Sequence, residues 1–252
     1  MAKKRMHVFI LMCLLLPGLF CKNKDPVSSD DPDDDPEVAI VTDIDGNVYN
    51  TVKIGNQIWT KEDVRTKRLN DGTKIQLVEN DAEWVGLTTP ALCYYKNSSN
   101  PDTIVKYGAL YNWYALEKLA PAGWHVPSIA EWNAMLNYLE KNGFNWDKST
   151  TGLKLAKAVS ASSDWKSSQL PGAIGNNLSL NNKSGFTALP SGCRFHNGVF
   201  AYRGVENHWW SSTKTSYADH AYSIYLMKDT ADVKIHAHYR DEGFSVRFIK
   251  DN

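Results

Sequence analysis

Residues 123–143 read GWHVPSIAEWNAMLNYLEKNG, and the way this stretch starts and stops decides what kind of fold the chain adopts. Ser128 followed three residues later by Glu131 is a capping box, in which each side chain serves the other residue's backbone N–H. Trp132, Met135, Leu136 and Leu139 then recur at helical spacing and share one apolar face. Asn142-Gly143 supplies the stop. The pattern predicts a helix running from Ser128 to Lys141 with one side against a core.

Outward from this helix the periodicity changes. Upstream, Val38, Ala39, Ile40, Val41 and Ile44 lead into Asp45-Gly46, then Val48, Tyr49, Val52 and Ile54 run to Gly55-Asn56, with Ile58 and Trp59 beyond. Short apolar runs split by such dipeptides predict a β-meander. Asp43, Asp45 and Asn47 have the spacing of half a calcium loop, but the later glutamate is missing and a hairpin turn accounts for the same residues. Between Tyr107 and Leu119, Leu110, Trp113 and Tyr114 sit on a helical period that ends at Ala120-Pro121, which predicts a second helix. Beyond Leu170 the chain is rich in Gly, Asn and Ser, and long ordered loops are expected. From Ala221 to Ile249 alternation returns (Tyr222, Ile224, Leu226; Val233, Ile235, Ala237, Tyr239; Phe244, Val246, Phe248), predicting three strands with Asp241-Glu242-Gly243 as a turn. Strands at both ends around central helices are read as one domain over residues 39–252.

The segment before that domain has a different composition. Residues 21–38 carry Asp25, Asp30, Asp31, Asp33, Asp34, Asp35 and Glu37 among three prolines, with no aromatic residue. Such a segment lacks the apolar surface to form a core and is expected to act as a solvated acidic tether. Residues 1–20 put Lys3, Lys4 and Arg5 before an apolar run from Val8 to Phe20, too short to span a bilayer. Followed by Cys21 and polar residues, this looks like a bacterial lipoprotein signal with Cys21 as the lipidated residue. Phe20 departs from the small residue usual at that place. The acidic residues after Cys21 resemble the surface-export signal of Bacteroidetes lipoproteins. The expected location is therefore extracytoplasmic, on the outer membrane and facing the cell surface.

The whole chain has 252 residues, with 28 Lys+Arg against 28 Asp+Glu. That length suffices to bury a core, so disorder throughout is excluded. Loss of the signal would leave the chain acidic, which excludes a protein that binds nucleic acid by neutralising phosphates.

Seven segments occur in the order TDIDGNVYNTVKIGNQIW, CYYKN, YGALYNWYAL, PAGWHVPSIAEWNAML, SGFTALPSG, HWWSST and GFSVRFIKD. Together they resemble the Fibrobacter succinogenes major paralogous domain (FISUMP) over residues 41–252. That family is similar to the C-type-lectin-like superfamily, which includes the formylglycine-generating enzymes. The resemblance implies an α+β, C-type-lectin-like single domain with two helices, twisted antiparallel strands, long ordered loops and chain ends close together. Family members commonly carry cysteines where this chain has Ala120 and Phe248, and the joint absence is what loss of a disulfide predicts. Cys93 and Cys193 remain. An extracytoplasmic address favours a bond between them, and two buried thiols are the alternative.

No nucleophile elbow, phosphate-binding glycine loop or His-Glu-x-x-His segment occurs, so the chain is not expected to be an enzyme or to need a cofactor. His236 and His238 share a strand face near His220, but no spaced Cys or Glu completes a zinc site. The Glu-Pro-Asn and Gln-Pro-Asp triplets of calcium-dependent lectins are absent as well. What remains is aromatic. Trp209 and Trp210 are adjacent, so on a strand one of them would face outward, and together with Tyr202, Arg203 and His208 they form the candidate ligand-binding set. The alternative is that both rings plug the loop region. The expected function is non-catalytic binding or adhesion, with polysaccharide or glycan as ligand and the membrane reached through the lipid anchor. A structural or protein-interaction role in a cell-surface assembly is the alternative.

Overall fold

The structure, a computed structural model, describes residues 40–251. The expected signal, the lipidated Cys21 and the tether lie outside the described residues. The chain divides into Met1–Glu37 and Val38–Asn252, and everything below belongs to the second unit.

The long helix forms where its sequence places it, over Ile129–Lys141. The Ser128 side chain accepts from the Glu131 N–H, and Glu131 accepts from the Ser128 N–H in return. Trp132, Met135, Leu136 and Leu139 are its buried residues. The Asp45-Gly46 turn joins Val41–Thr42 to Val48–Tyr49. Asp43 organises that turn by accepting from the Asp45 and Asn47 N–H groups and from the Tyr49 hydroxyl. The next hairpin, through Gly55-Asn56, pairs Thr51–Ile54 with Gln57–Thr60.

A further sheet and an extension of this hairpin pack beside the helix. Glu206–Lys214, His220–Met227 and Lys234–Tyr239 make a three-stranded antiparallel sheet, with a register shift between Trp210 and Lys214. The last strand, Ile249–Lys250, inserts between Gln57–Thr60 and Trp124–His125 in a four-stranded sheet. The architecture is α+β, dominated by short open sheets.

The region predicted as a second helix differs. Gly108 adopts φ +70°, and a Cβ there would lie 2.7–2.8 Å from Asp63 and the Val64 carbonyl. Helical geometry is therefore interrupted. Leu110–Tyr111 pairs with Leu92–Cys93 as strand, and Trp113–Lys118 continues as a 3-10 turn. Of the apolar positions read as one helical face, Leu110 is buried and Trp113 and Tyr114 are half-buried. Upstream, Pro101–Tyr107 is an α-helix, capped by Asn100 with proline in its first turn, a start signal that Asn-Pro carries in the sequence. At the C-terminal end, the first two predicted strands form. Phe244–Phe248 contributes isolated bridges to Tyr111 and Trp209 rather than a regular strand.

The core has two main clusters on opposite faces of strand Glu206–Lys214. One holds Trp59, Trp132, Phe186 and Trp209 against the long helix, with ring centroids 4.7–6.2 Å apart. The other holds Tyr111, Trp210, Phe244 and Phe248.

Candidate functional site

That layering corrects the aromatic candidates. Alternation does send Trp209 and Trp210 to opposite faces, but both faces are covered, and the residues are 1% and 0% exposed. Neither ring is available to stack on a ligand. Each indole N–H is also committed, Trp209 to the Asp63 carboxylate at 2.8 Å and Trp210 to the Tyr111 carbonyl at 2.8 Å. Of the same set, His208 is buried and Tyr202 is exposed. The half-buried Arg203 places its guanidinium 3.9 Å over the Tyr107 ring.

His208 belongs to a buried acid–imidazole group. Its ring stacks between Tyr225 and Phe244, at 4.9 and 4.8 Å. Its Nε2 bonds Glu206 at 3.1 Å, while His238 Nδ1 bonds Glu242 at 2.8 Å, and the two imidazoles meet edge to face at 5.3 Å. Burial pulls the His208 pKa below its ordinary value, against the pull of Glu206 and Glu242 and with the help of His238. His125 behaves in the opposite way. Burial opposes its charge, but hydrogen bonds to Asp251 and Glu131 outweigh that and raise its pKa.

The signs are therefore opposed. Stability held by neutral His208 is present above 6.5 and lost as pH falls from there through its folded value. Stability held by charged His125 is present below 6.5 and lost as pH rises through its folded value. NMR titration of the ring protons should place the His208 midpoint below 6.5 and the His125 midpoint above it. A His208 midpoint at or above that value would contradict this account of the cluster.

The favoured disulfide is also corrected: Cys93 and Cys193 are unpaired, buried thiols. They sit in different packing clusters, Cys93 with Val78, Trp84 and Leu110, and Cys193 with Trp210 and Phe244. Burial pushes the Cys93 thiol up to about 12, and burial with Glu242 and Glu206 nearby raises Cys193. Both should resist alkylation in the native protein, because the thiolate is the reactive form. In denaturant each should take up one alkyl group without prior reduction, as read by peptide mass mapping. Labelling that needs a reductant would show a bonded pair.

The strongest arrangement for a ligand lies elsewhere, in a cleft of about 320 Å³ built from the loop after the long helix and from residues 171–183. Trp146 is its main feature, 44% exposed among a set of tryptophans that are mostly buried. The ring is held in place by what lies behind it. Gly172 has φ +76°, and a Cβ there would come within 2.2 Å of the indole, so ring and backbone are in direct contact. Only glycine permits both that backbone angle and that approach.

The cleft walls add Pro171, Leu180 and Phe144 as apolar surface, and Asn176, Lys148 and Lys183 as polar groups. Asn145 also lines it. Its amide donates to the Ser149 and Thr151 carbonyls at 2.9 and 3.1 Å, while its buried Oδ1 has no partner. The volume and the mixture of an aromatic face with a few polar groups fit a small-ligand site. Among the described residues no group of three or more His, Cys, Asp or Glu side chains is placed to hold a metal ion.

Fold and cleft together define an α+β domain with a preformed aromatic recess on its loop side. The chain matches the family model of the Fibrobacter succinogenes major domain over residues 52–250, and it belongs to that family. No curated protein and no solved structure matches it.

Proposed function

We propose that the protein is a lipid-anchored, surface-exposed lipoprotein whose domain binds polysaccharide or glycan without catalysing a reaction. We further propose that its fold is C-type-lectin-like. The place of the Ile249–Lys250 strand supports the fold reading, since it pairs with both Trp59 and His125. The single observation that carries the binding reading is Trp146, a half-exposed indole braced on Gly172 at the edge of a cleft with amide and ammonium groups. An aromatic face presents the apolar side of a pyranose with a stacking surface, while the polar groups meet its hydroxyls.

The test is binding of the protein to immobilised polysaccharides, with and without chelator, beside a Trp146→Ala variant checked for folding by circular dichroism. Chelator-insensitive binding that the variant loses supports the reading. Binding that the variant keeps removes the cleft from it.

A protein partner in a surface assembly is the second reading. A row of surface rings favours it: Tyr217 to His220 at 5.8 Å, His220 to Tyr239 at 4.3 Å and Tyr239 to His196 at 4.8 Å. Ile235, also exposed, extends the row along strand Lys234–Tyr239.

A further inference from the structure

The charge of the Trp146 cleft is one-sided. Three of its lining residues are lysines, Lys148, Lys157 and Lys183, and none is a carboxylate. This contrasts with a chain whose acids and bases balance overall.

The three ammonium groups differ in setting. Lys157 is buried, with Nζ donating to the carbonyls of Ala173, Ile174, Asn176 and Asn177. A neutral amine has only two N–H bonds to give, so this ring of acceptors calls for the charged form. Burial opposes that charge and lowers its pKa, and among the described residues its bonds go to carbonyls alone. Lys183 is exposed, 4.7 Å over the Phe144 ring and within reach of the Gly143 carbonyl. Lys148 is exposed at the cleft rim in a left-handed conformation, φ +61°, and has no acid partner among the described residues. The neighbouring acid, Asp147, is taken by Lys154 and Ser149. The recess therefore combines an aromatic face with positive charge and no lining carboxylate.

We propose that this cleft selects an anionic sugar unit, with the pyranose ring on Trp146 and its carboxylate or sulfate against Lys148 and Lys183. The inference rests on the glycan-binding reading and names its ligand class. Lysine suits the role because its ammonium is a mobile point charge that accepts either anion without a fixed fork geometry. Long-range attraction adds to contact, so the preference should weaken as salt shortens the Debye length.

The experiment uses matched probes: polygalacturonate against its methyl-esterified form, and dextran sulfate against dextran. Affinity is measured at low and high salt for the native protein, Trp146→Ala and the double variant Lys148→Glu/Lys183→Glu, each checked for folding. The native protein should hold one anionic probe about tenfold more tightly than its neutral partner at low salt, an effect of the size two exposed charge contacts supply. The charge reversal should bring the ratio of anionic to neutral affinity down to one or below.

A preference for polygalacturonate would identify a carboxylate, and one for dextran sulfate a sulfate. Equal affinity for both members of each pair, unchanged by the reversal, overturns the inference while leaving glycan binding standing. Absence of binding to every probe overturns both. Anionic binding untouched by Trp146→Ala also overturns it, because bare polyanion attraction needs no ring.

Discussion

Replacing Asp63 with alanine is expected to cost about 3–5 kcal/mol of stability, the range seen when one partner of a buried ion pair is removed. The Asp63–Arg247 pair is 2.5 Å apart, and both side chains are almost wholly buried. Asp63 also accepts from Trp209 Nε1, the Ser191 hydroxyl and the Asn207 amide, at 2.8, 3.0 and 3.2 Å. Arg247 donates in turn to the carbonyls of Thr60, Phe186 and Thr187. One carboxylate and one guanidinium thus tie the N-terminal hairpins, the 186–191 loop and the 206–214 strand to the chain's end. Removing the acid leaves a charged guanidinium and three donors without an acceptor.

For a domain of this size the loss corresponds to a fall in melting temperature of roughly 10 °C. Arg247→Met should cost a similar amount. The double variant should cost clearly less than the sum of the two, since no stranded charge remains. Chemical denaturation of the three variants checks this. Additive effects below about 1 kcal/mol each would show that the pair is not the hub the geometry describes.

The second large effect is on binding. Trp146→Ala should weaken glycan affinity by about 30-fold or more, the scale of a hot-spot aromatic at about 2 kcal/mol. It should cost much less stability than loss of a core ring, because 44% of the residue is already exposed. A Trp132→Ala control should do the opposite. Trp132 packs against Trp59, Phe186 and Trp209, so its loss opens a cavity worth about 3–5 kcal/mol. The two variants separate ring-for-ligand from ring-for-core. Affinity that falls only in proportion to unfolded protein would assign Trp146 to packing.

Local signals proved the most legible part of the sequence. The Ser128–Glu131 box, the Asn142-Gly143 stop and the two glycine-bearing hairpin turns each act within a few residues, and each forms as read. Tertiary layering was less accessible. Alternation places Trp209 and Trp210 on opposite faces, but only the packing of the long helix on one side and of Phe244 on the other shows that neither face is free. The Leu110–Tyr114 periodicity misled for a related reason, since Gly108 had to pass within van der Waals contact of Asp63 and Val64, over forty residues away.

The site itself was hidden for want of regular structure. Trp146 is visible in the sequence as a tryptophan in a polar loop, but its support, Gly172, and its lysines come from irregular segments that no periodicity connects. A signal was present in part: glycine at a loop position with an exposed aromatic elsewhere marks a close approach only once the partner is known.

The most direct test of the central claim is a spectrum of the tryptophan indole N–H groups. The chain has nine tryptophans, and Trp146→Ala assigns the one that matters. Oligosaccharides cut from a polysaccharide that the protein binds are titrated into 15N-labelled protein. The account predicts that the Trp146 indole signal shifts progressively, while those of the buried Trp59, Trp132, Trp209 and Trp210 stay in place. A bound oligosaccharide that leaves the Trp146 signal unmoved would contradict it.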